Sequence, residues 1–125
     1  MNNRKVLIVD DFPSIIDSVK LMLEDIEGLV FETAISGIEA YSKIKESAPE
    51  LIILDVEMPG GNGDELLAKM KQEDSLKNIK VLGFTASYTS GKYLKQLGAD
   101  KVIIKTSKES EPRYFQKTVE KLLEA

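Results

Sequence analysis

Neither cysteine nor histidine occurs anywhere in the 125 residues. The first absence excludes disulfides, thiol nucleophiles and thiolate metal sites; the second excludes imidazole as base, ligand or phosphate carrier. Any metal must therefore be held by oxygen, which selects a hard cation such as Mg²⁺. Long apolar runs are also missing. Val6-Leu7-Ile8-Val9 reaches only as far as Asp10, too short for a signal-peptide core or a membrane-spanning helix, so cytoplasmic residence is the expectation. There is no excess of positive charge: the net charge of -4 argues against this chain binding nucleic acid or an anionic membrane by itself. The first strand-to-helix turn, Asp10-Asp11-Phe12-Pro13, lacks the glycines of a dinucleotide site, and no Gly-Lys-Ser/Thr phosphate loop exists.

What is present has the balance of a soluble globular domain, 42% hydrophobic and 30% charged. The length suits one domain with one core, residues 1–125. Its centre is Pro49 to Gly63, where the apolar run Leu51-Ile52-Ile53-Leu54 delivers a lone carboxylate, Asp55, just before Pro59, Gly60 and Gly61 break the chain. A run without polar alternation reads as a strand covered on both faces. Three other runs behave alike: Lys5–Val9 ends in Asp10-Asp11, Ile79–Phe84 in Thr85, and Lys101–Ile104 in Lys105. Leu29–Ala34 alternates only partly, as an edge strand does.

Helical patterns separate these strands. Pro13 fits the first turn of a helix with Asp11 or Phe12 near its cap, carrying Ile15, Ile16, Val19, Met22, Leu23 and Ile26 until Gly28 ends it. Ser36 with Glu39 fits a capping box for a helix presenting Ile38, Tyr41 and Ile44, and Asn62 with Glu65 fits a second, for Leu66, Leu67 and Met70. Gln72–Asn78 reads as a polar return. Ser87–Gly91 is rich in loop formers and predicts a short helix around Tyr93, Leu94 and Leu97, with Tyr88 in the loop before it. Thr106–Glu111 reads as a loop, and Pro112 opens a last helix with Phe115, Val119, Leu122 and Leu123 inward. Five such β/α units imply an α/β fold, a doubly wound parallel sheet with helices on both faces.

In a parallel sheet all strand C-termini share one edge, so Asp10, Asp11, Asp55, Thr85 and Lys105 converge there. Three close carboxylates repel, and a bound Mg²⁺ relieves the repulsion. Lys105 offers a charge, and Thr85 a hydroxyl, to phosphoryl oxygens. The competing explanation is ordinary turn chemistry at each strand end. It weakens when five such residues coincide.

Val6-Leu7-Ile8-Val9-Asp10-Asp11, Asp55-Val56-Glu57-Met58-Pro59-Gly60-Gly61-Asn62-Gly63, Thr85-Ala86 and Gly98-Ala99-Asp100 leading to Lys105 stand in this order along the chain. On these pieces the chain resembles the receiver domain of two-component response regulators over essentially its full length. The resemblance implies a CheY-like, five-stranded, three-layer sheet in the order 2-1-3-4-5. It implies that Asp55 accepts a phosphoryl group from a histidine kinase or histidine phosphotransfer protein. Mg²⁺, with Mn²⁺ as a substitute, would be held by Asp10, Asp11, Asp55 and the backbone carbonyl of Glu57. Thr85, the backbone N–H of Ala86 and Lys105 would bind the phosphoryl group. Such a domain catalyses its own phosphorylation and dephosphorylation without a conventional enzyme activity. It signals to an output protein or a fused output domain, and a phosphorylation-dependent dimer is a further expectation.

Four positions bear on how the switch works. Lys105 is followed by Thr106 where the family usually has proline. Val102 stands where an aromatic ring usually moves with the threonine. Glu57 flanks the path of attacking water, and Tyr88 lies near Thr85. Two rivals stay open: a pseudo-receiver that is an unphosphorylated interaction module, and a Mg²⁺-dependent phosphatase of small substrates. The latter needs a second acid and a cap, and the loops here are too short for a cap.

Overall fold

The computed structural model describes residues 3–58 and 63–124. The elements alternate as the sequence pattern requires: β1 (Arg4–Val9), α1 (Pro13–Met22), β2 (Leu29–Ala34), α2 (Gly37–Glu46), β3 (Leu51–Leu54), α3 (Gly63–Lys71), β4 (Lys80–Thr85), α4 (Tyr88–Gln96), β5 (Lys101–Ile104) and α5 (Pro112–Glu124). The strands form one sheet in the order β2-β1-β3-β4-β5, parallel throughout. Successive strand residues face opposite sides. Leu7, Val9, Ile52 and Leu54 therefore join Ala40, Ile44, Leu67 and Leu94 in one apolar layer. Val6, Ile8, Leu51 and Ile53 join Ile16, Val19, Phe115 and Val119 in the other. β1 and β3 are buried on both faces, which is why they read as unbroken apolar runs. β2 lies at the edge and exposes Val30.

The connection from β1 leads to β2 on one side, and β3 pairs on the other. A crevice opens where this order reverses, at the C-terminal ends of the strands. Val9 is in register with Leu54, so Asp10 and Asp55 leave the sheet side by side. The Asp55 N–H donates to the Val9 carbonyl at 3.0 Å, and the Asp10 N–H to the Ala34 carbonyl at 3.0 Å. Both carboxylates thus leave from backbone that the sheet holds.

Several local expectations are corrected. α1 stops at Met22 rather than near Gly28, and Leu23 to Gly28 continues as turns. Glu24, Asp25 and Glu27 would crowd the negative end of the helix dipole, which disfavours continuation. Gly28 then turns the chain at φ +80°. Ile38 does not face inward: it is 72% exposed, and α2 buries Gly37, Ala40 and Ile44 instead. At about 100° per residue those three share one stripe, whereas Ile38 falls roughly a third of a turn away from it. In the capping box, the Glu39 N–H donates to Ser36 Oγ at 3.1 Å as expected. The Glu39 carboxylate, however, accepts from the N–H of Ile35 (2.8 Å), one residue before the cap.

Further along, the polar return hides a buried anchor, Leu76. Tyr88 is not in a loop. Ser87 caps α4, accepting from the Ser90 N–H at 3.1 Å, and Tyr88 is its first residue, 80% exposed. The loop formers of Ser87–Gly91 are a cap and first turn. Within Thr106–Glu111, Lys108–Ser110 winds a single 3₁₀ turn. The expected Asn62 cap lies outside the described residues, as do Pro59, Gly60 and Gly61.

Candidate functional site

At the sheet's C-terminal edge, Asp10, Asp11 and Asp55 each place a carboxylate oxygen within 4.8 Å of the others. Asp10 is 2% and Asp55 5% exposed. The two oxygens of Asp10 are both engaged: Oδ1 accepts from the Phe12 N–H (3.0 Å) and Oδ2 from Lys105 Nζ (2.8 Å). The first of these bonds also fixes the entry to α1, whose cap residue Phe12 has no side-chain cap of its own. Asp55 Oδ1 accepts from the Val56 N–H at 2.8 Å, and Oδ2 lies 3.5 Å from Lys105 Nζ. Asp11 Oδ1 is buried and has no hydrogen-bond partner among the described residues.

The electrostatics follow from this crowding. Burial raises the pKa of Asp55 above its usual value of 3.8, and the Asp10 carboxylate adds to the rise. The Lys105 ammonium, the Val56 N–H and the Thr85 hydroxyl oppose it. One lysine among three acids leaves a net negative pocket. An unpartnered buried oxygen, a disfavoured carboxylate charge and an all-oxygen donor set together fit a hard divalent cation.

Lys105 is brought in by β5. Its N–H donates to the Thr85 carbonyl (2.9 Å), extending the ladder one residue beyond the strand. The ammonium lies 5.7 Å from the centre of the Phe84 ring, and that ring packs against Phe115 at 4.9 Å. No cis peptide occurs among the described residues, so the Lys105–Thr106 bond is trans, and Lys105 still reaches both Asp10 and Asp55. Thr106 itself is exposed and outside the cluster.

Thr85 ends β4 and is 1% exposed; its hydroxyl, close enough to act on Asp55, accepts a long 3.5 Å contact from the Ser87 N–H. Ala86 follows, exposed, at the mouth of the crevice. The Glu57 side chain is exposed, whereas Met58 is buried in the core beside α3. The Gly63 N–H donates to the Val56 carbonyl at 3.0 Å. A Cβ on Gly63 would overlap the Asp55 carbonyl oxygen, so glycine lets α3 begin directly against the site.

Sequence reasoning missed the packing around Val102. Val102 is half-buried beneath α4. A Cβ on Gly91 would come within 2.9 Å of Val102 and 3.6 Å of the Thr85 methyl. A Cβ on Gly83 would lie 2.8 Å from Leu94 and 3.2 Å from Val102. Two glycines therefore let α4 sit closely on β4 and β5 where a larger residue 102 would need room. The only sequence signal was a pair of glycines in otherwise regular elements.

The response regulator receiver domain model matches residues 6–113, and the chain belongs to that family. It is 42% identical over 82 residues to the response regulator GacA of Pseudomonas syringae pv. syringae, a match covering 65% of this chain and 37% of GacA. It is 30% identical over 122 residues to the chemotaxis protein CheY-3 of Vibrio cholerae, covering 92% of this chain and 94% of CheY-3. The chain thus spans little more than a third of the first relative's length and nearly all of the second's. A solved CheY-like receiver domain protein from Methanospirillum hungatei JF-1 superposes with a TM-score of 0.82 at 30% identity, over 98% of this chain and 95% of that one.

Proposed function

We propose that this domain is the phosphoacceptor switch of a two-component phosphorelay, with Asp55 as the residue modified. The observation that carries the proposal is the placement of Lys105 Nζ, 2.8 Å from Asp10 and 3.5 Å from Asp55, beside the unpartnered Asp11 oxygen. A site built only to hold a metal has no use for a partly buried lysine competing for its ligands.

Asp10, Asp11, Asp55 and the Glu57 carbonyl would hold Mg²⁺, or Mn²⁺ in its place, which supplies charge neutralisation for phosphoryl oxygens. The rest is done by the chain. An Asp55 carboxylate oxygen needs no general base, in keeping with a protein that has no histidine. It bonds to phosphorus as the donor's histidine nitrogen leaves with its electron pair, giving an acyl phosphate. Phosphoryl transfer depends mainly on positioning and charge, and the sheet fixes Asp55 through its backbone. Lys105 exchanges its contact with Asp10 for a phosphoryl oxygen. The Thr85 hydroxyl donates to another, and the Ala86 N–H to a third. Water then attacks phosphorus, returning the carboxylate and inorganic phosphate. The Glu57 side chain, exposed beside that route, tunes its rate.

With Val102 in place of a ring, the movement of Thr85 reaches α4 through the close contact at Gly91. Tyr88, at the exposed start of α4, reports that movement to an output protein or fused output domain. The donor is a histidine kinase or histidine phosphotransfer protein.

Incubation with acetyl phosphate and Mg²⁺ followed by rapid intact mass measurement tests the proposal. A transient one-phosphoryl adduct is expected, absent in Asp55→Asn and absent with EDTA. No adduct, with the donor active on another receiver, identifies a pseudo-receiver. Sustained turnover of phosphomonoesters identifies a phosphatase.

A further inference from the structure

Lys105 reaches the site among neighbours of two kinds. Its ammonium lies 2.8 Å from Asp10 Oδ2 and 3.5 Å from Asp55 Oδ2, and it sits over the Phe84 ring, 5.7 Å from the ring centre. The carboxylates are oxygen ligands that a hard divalent cation would claim. The ring is neutral hydrocarbon that such a cation passes over. An aromatic face nonetheless attracts an ammonium through its quadrupole at separations up to about 6 Å.

The conflict falls on Asp10. Its Oδ1 is held by the Phe12 N–H at 3.0 Å, and its Oδ2 is the oxygen that Lys105 occupies. Asp55 repeats the pattern, with Oδ1 on the Val56 N–H at 2.8 Å and Oδ2 facing the lysine. A cation held by Asp10, Asp11 and Asp55 would therefore take the lysine's charge partner, and two positive charges in one pocket repel. With no other attraction, the long stem would swing out and the phosphoryl group would lose its ammonium.

Phe84 stands where it can supply that attraction. It lies on β4, is buried, and packs at 4.9 Å and a tilt of 58° against the fully buried Phe115 of α5. Close packing holds the ring in that attitude. Phe84 and Lys105 also share the wall of an open cleft of about 360 Å³, lined further by Ile15, Met22 and Pro112. The cleft gives the ammonium room to settle back over the ring. Its apolar lining limits water there, and cation–π attraction strengthens with desolvation.

We propose, on the phosphoacceptor reading of Asp55, that Phe84 is a positioning residue: its ring keeps Lys105 at the site when a divalent cation takes Asp10. The lysine thus has a carboxylate perch in the metal-free site and an aromatic perch in the loaded one. Packing alone is the competing account, since Phe84 also belongs to the core beside Phe115. Packing, however, makes no use of the electron density of the ring.

The test replaces Phe84 in the whole chain by mono-, di- and trifluorinated phenylalanine through a suppressed stop codon. Successive fluorines drain the negative face of the ring and barely change its size. Formation of the acetyl phosphate adduct with Mg²⁺ should slow stepwise, by about threefold to tenfold for the trifluorinated ring. The same series at Phe115 should leave the rate unchanged. A second readout needs no phosphorylation. Adding Mg²⁺ should move the Lys105 ε-methylene protons upfield through the ring current of Phe84, and Phe84→Leu should abolish that shift. A rate that is flat across the Phe84 series, or that falls equally in the Phe115 series, would overturn the inference in favour of packing. So would Lys105 protons that stay in place or move downfield with Mg²⁺. No adduct in the unmodified protein would overturn the phosphoacceptor reading instead, while the proton shift, present or absent, still supports or overturns the aromatic perch.

Discussion

The two halves of the sheet's C-terminal edge are built on opposite means. Under β1 and β3 the site is made of charge: three carboxylates, two of them almost fully buried, and one lysine reaching across. Under β4 and β5 it is made of missing volume: Gly83, Gly91 and Val102 let α4 close on the strands. The first half stores electrostatic cost that, on the proposed function, a cation or phosphoryl group would relieve. The second has no charge to relieve and, on that reading, would transmit by contact. The two halves depend on different residues and different forces, so one can change without the other.

The largest effect should come from breaking the charged half. Lys105→Met leaves Asp10 and Asp55 buried without their cation, and loss of one partner from such a group costs about 3–5 kcal/mol. In EDTA, chemical denaturation should show a loss of that order, and Mg²⁺ should recover part of it. If stability is unchanged in EDTA, the lysine is not holding the carboxylates.

The packed half should break more gently. Gly91→Ala gains about 1 kcal/mol of helix propensity, but overpacking against Val102 and Ile104 costs about 1–3 kcal/mol. A net loss is expected. Combining it with Val102→Ala should restore stability beyond the sum of the single changes, whereas strict additivity would show that the two residues do not press on each other.

The pH dependence sharpens the contrast. Burial raises the Asp55 pKa above 3.8, so the folded state holds this proton more tightly than the unfolded one. The associated stability is fully present below the unfolded value and is lost as pH rises through the folded one. In EDTA at neutral pH, Asp55→Asn should therefore melt higher than the unmodified protein. The gap should close as pH falls below 3.8, and Mg²⁺ should raise the melting temperature of the unmodified protein more than that of the variant. A variant that melts lower at neutral pH would mean that Lys105 outweighs burial.

The smallest effect belongs to neither half. Ile38→Ser should change stability by no more than about 0.5 kcal/mol, as surface substitutions do, although the helical pattern had placed Ile38 inside. Ile44→Ala, from the buried stripe of the same helix, should cost about 2–5 kcal/mol and serves as its control in denaturant titrations.

The sequence by itself determined the strand runs, their order with the helices and hence the doubly wound sheet, because double burial demands unbroken apolar runs and parallel strands demand crossovers. It also determined which residues gather at the edge. Asp10, Asp11, Asp55, Thr85 and Lys105 each follow or end a strand, and parallel topology carries every strand end to one rim. Tertiary structure alone decided the ion pair between Lys105 and Asp10, residues 95 positions apart, since which acid a lysine takes depends on distances that no local pattern encodes. It alone decided that Ser87 caps a helix, since serine suits loop and cap equally, and that Ile38 lies outside the buried stripe. The seating of α4 on Gly83, Gly91 and Val102 was likewise hidden, because fit is a property of facing surfaces and appears only once both are in place.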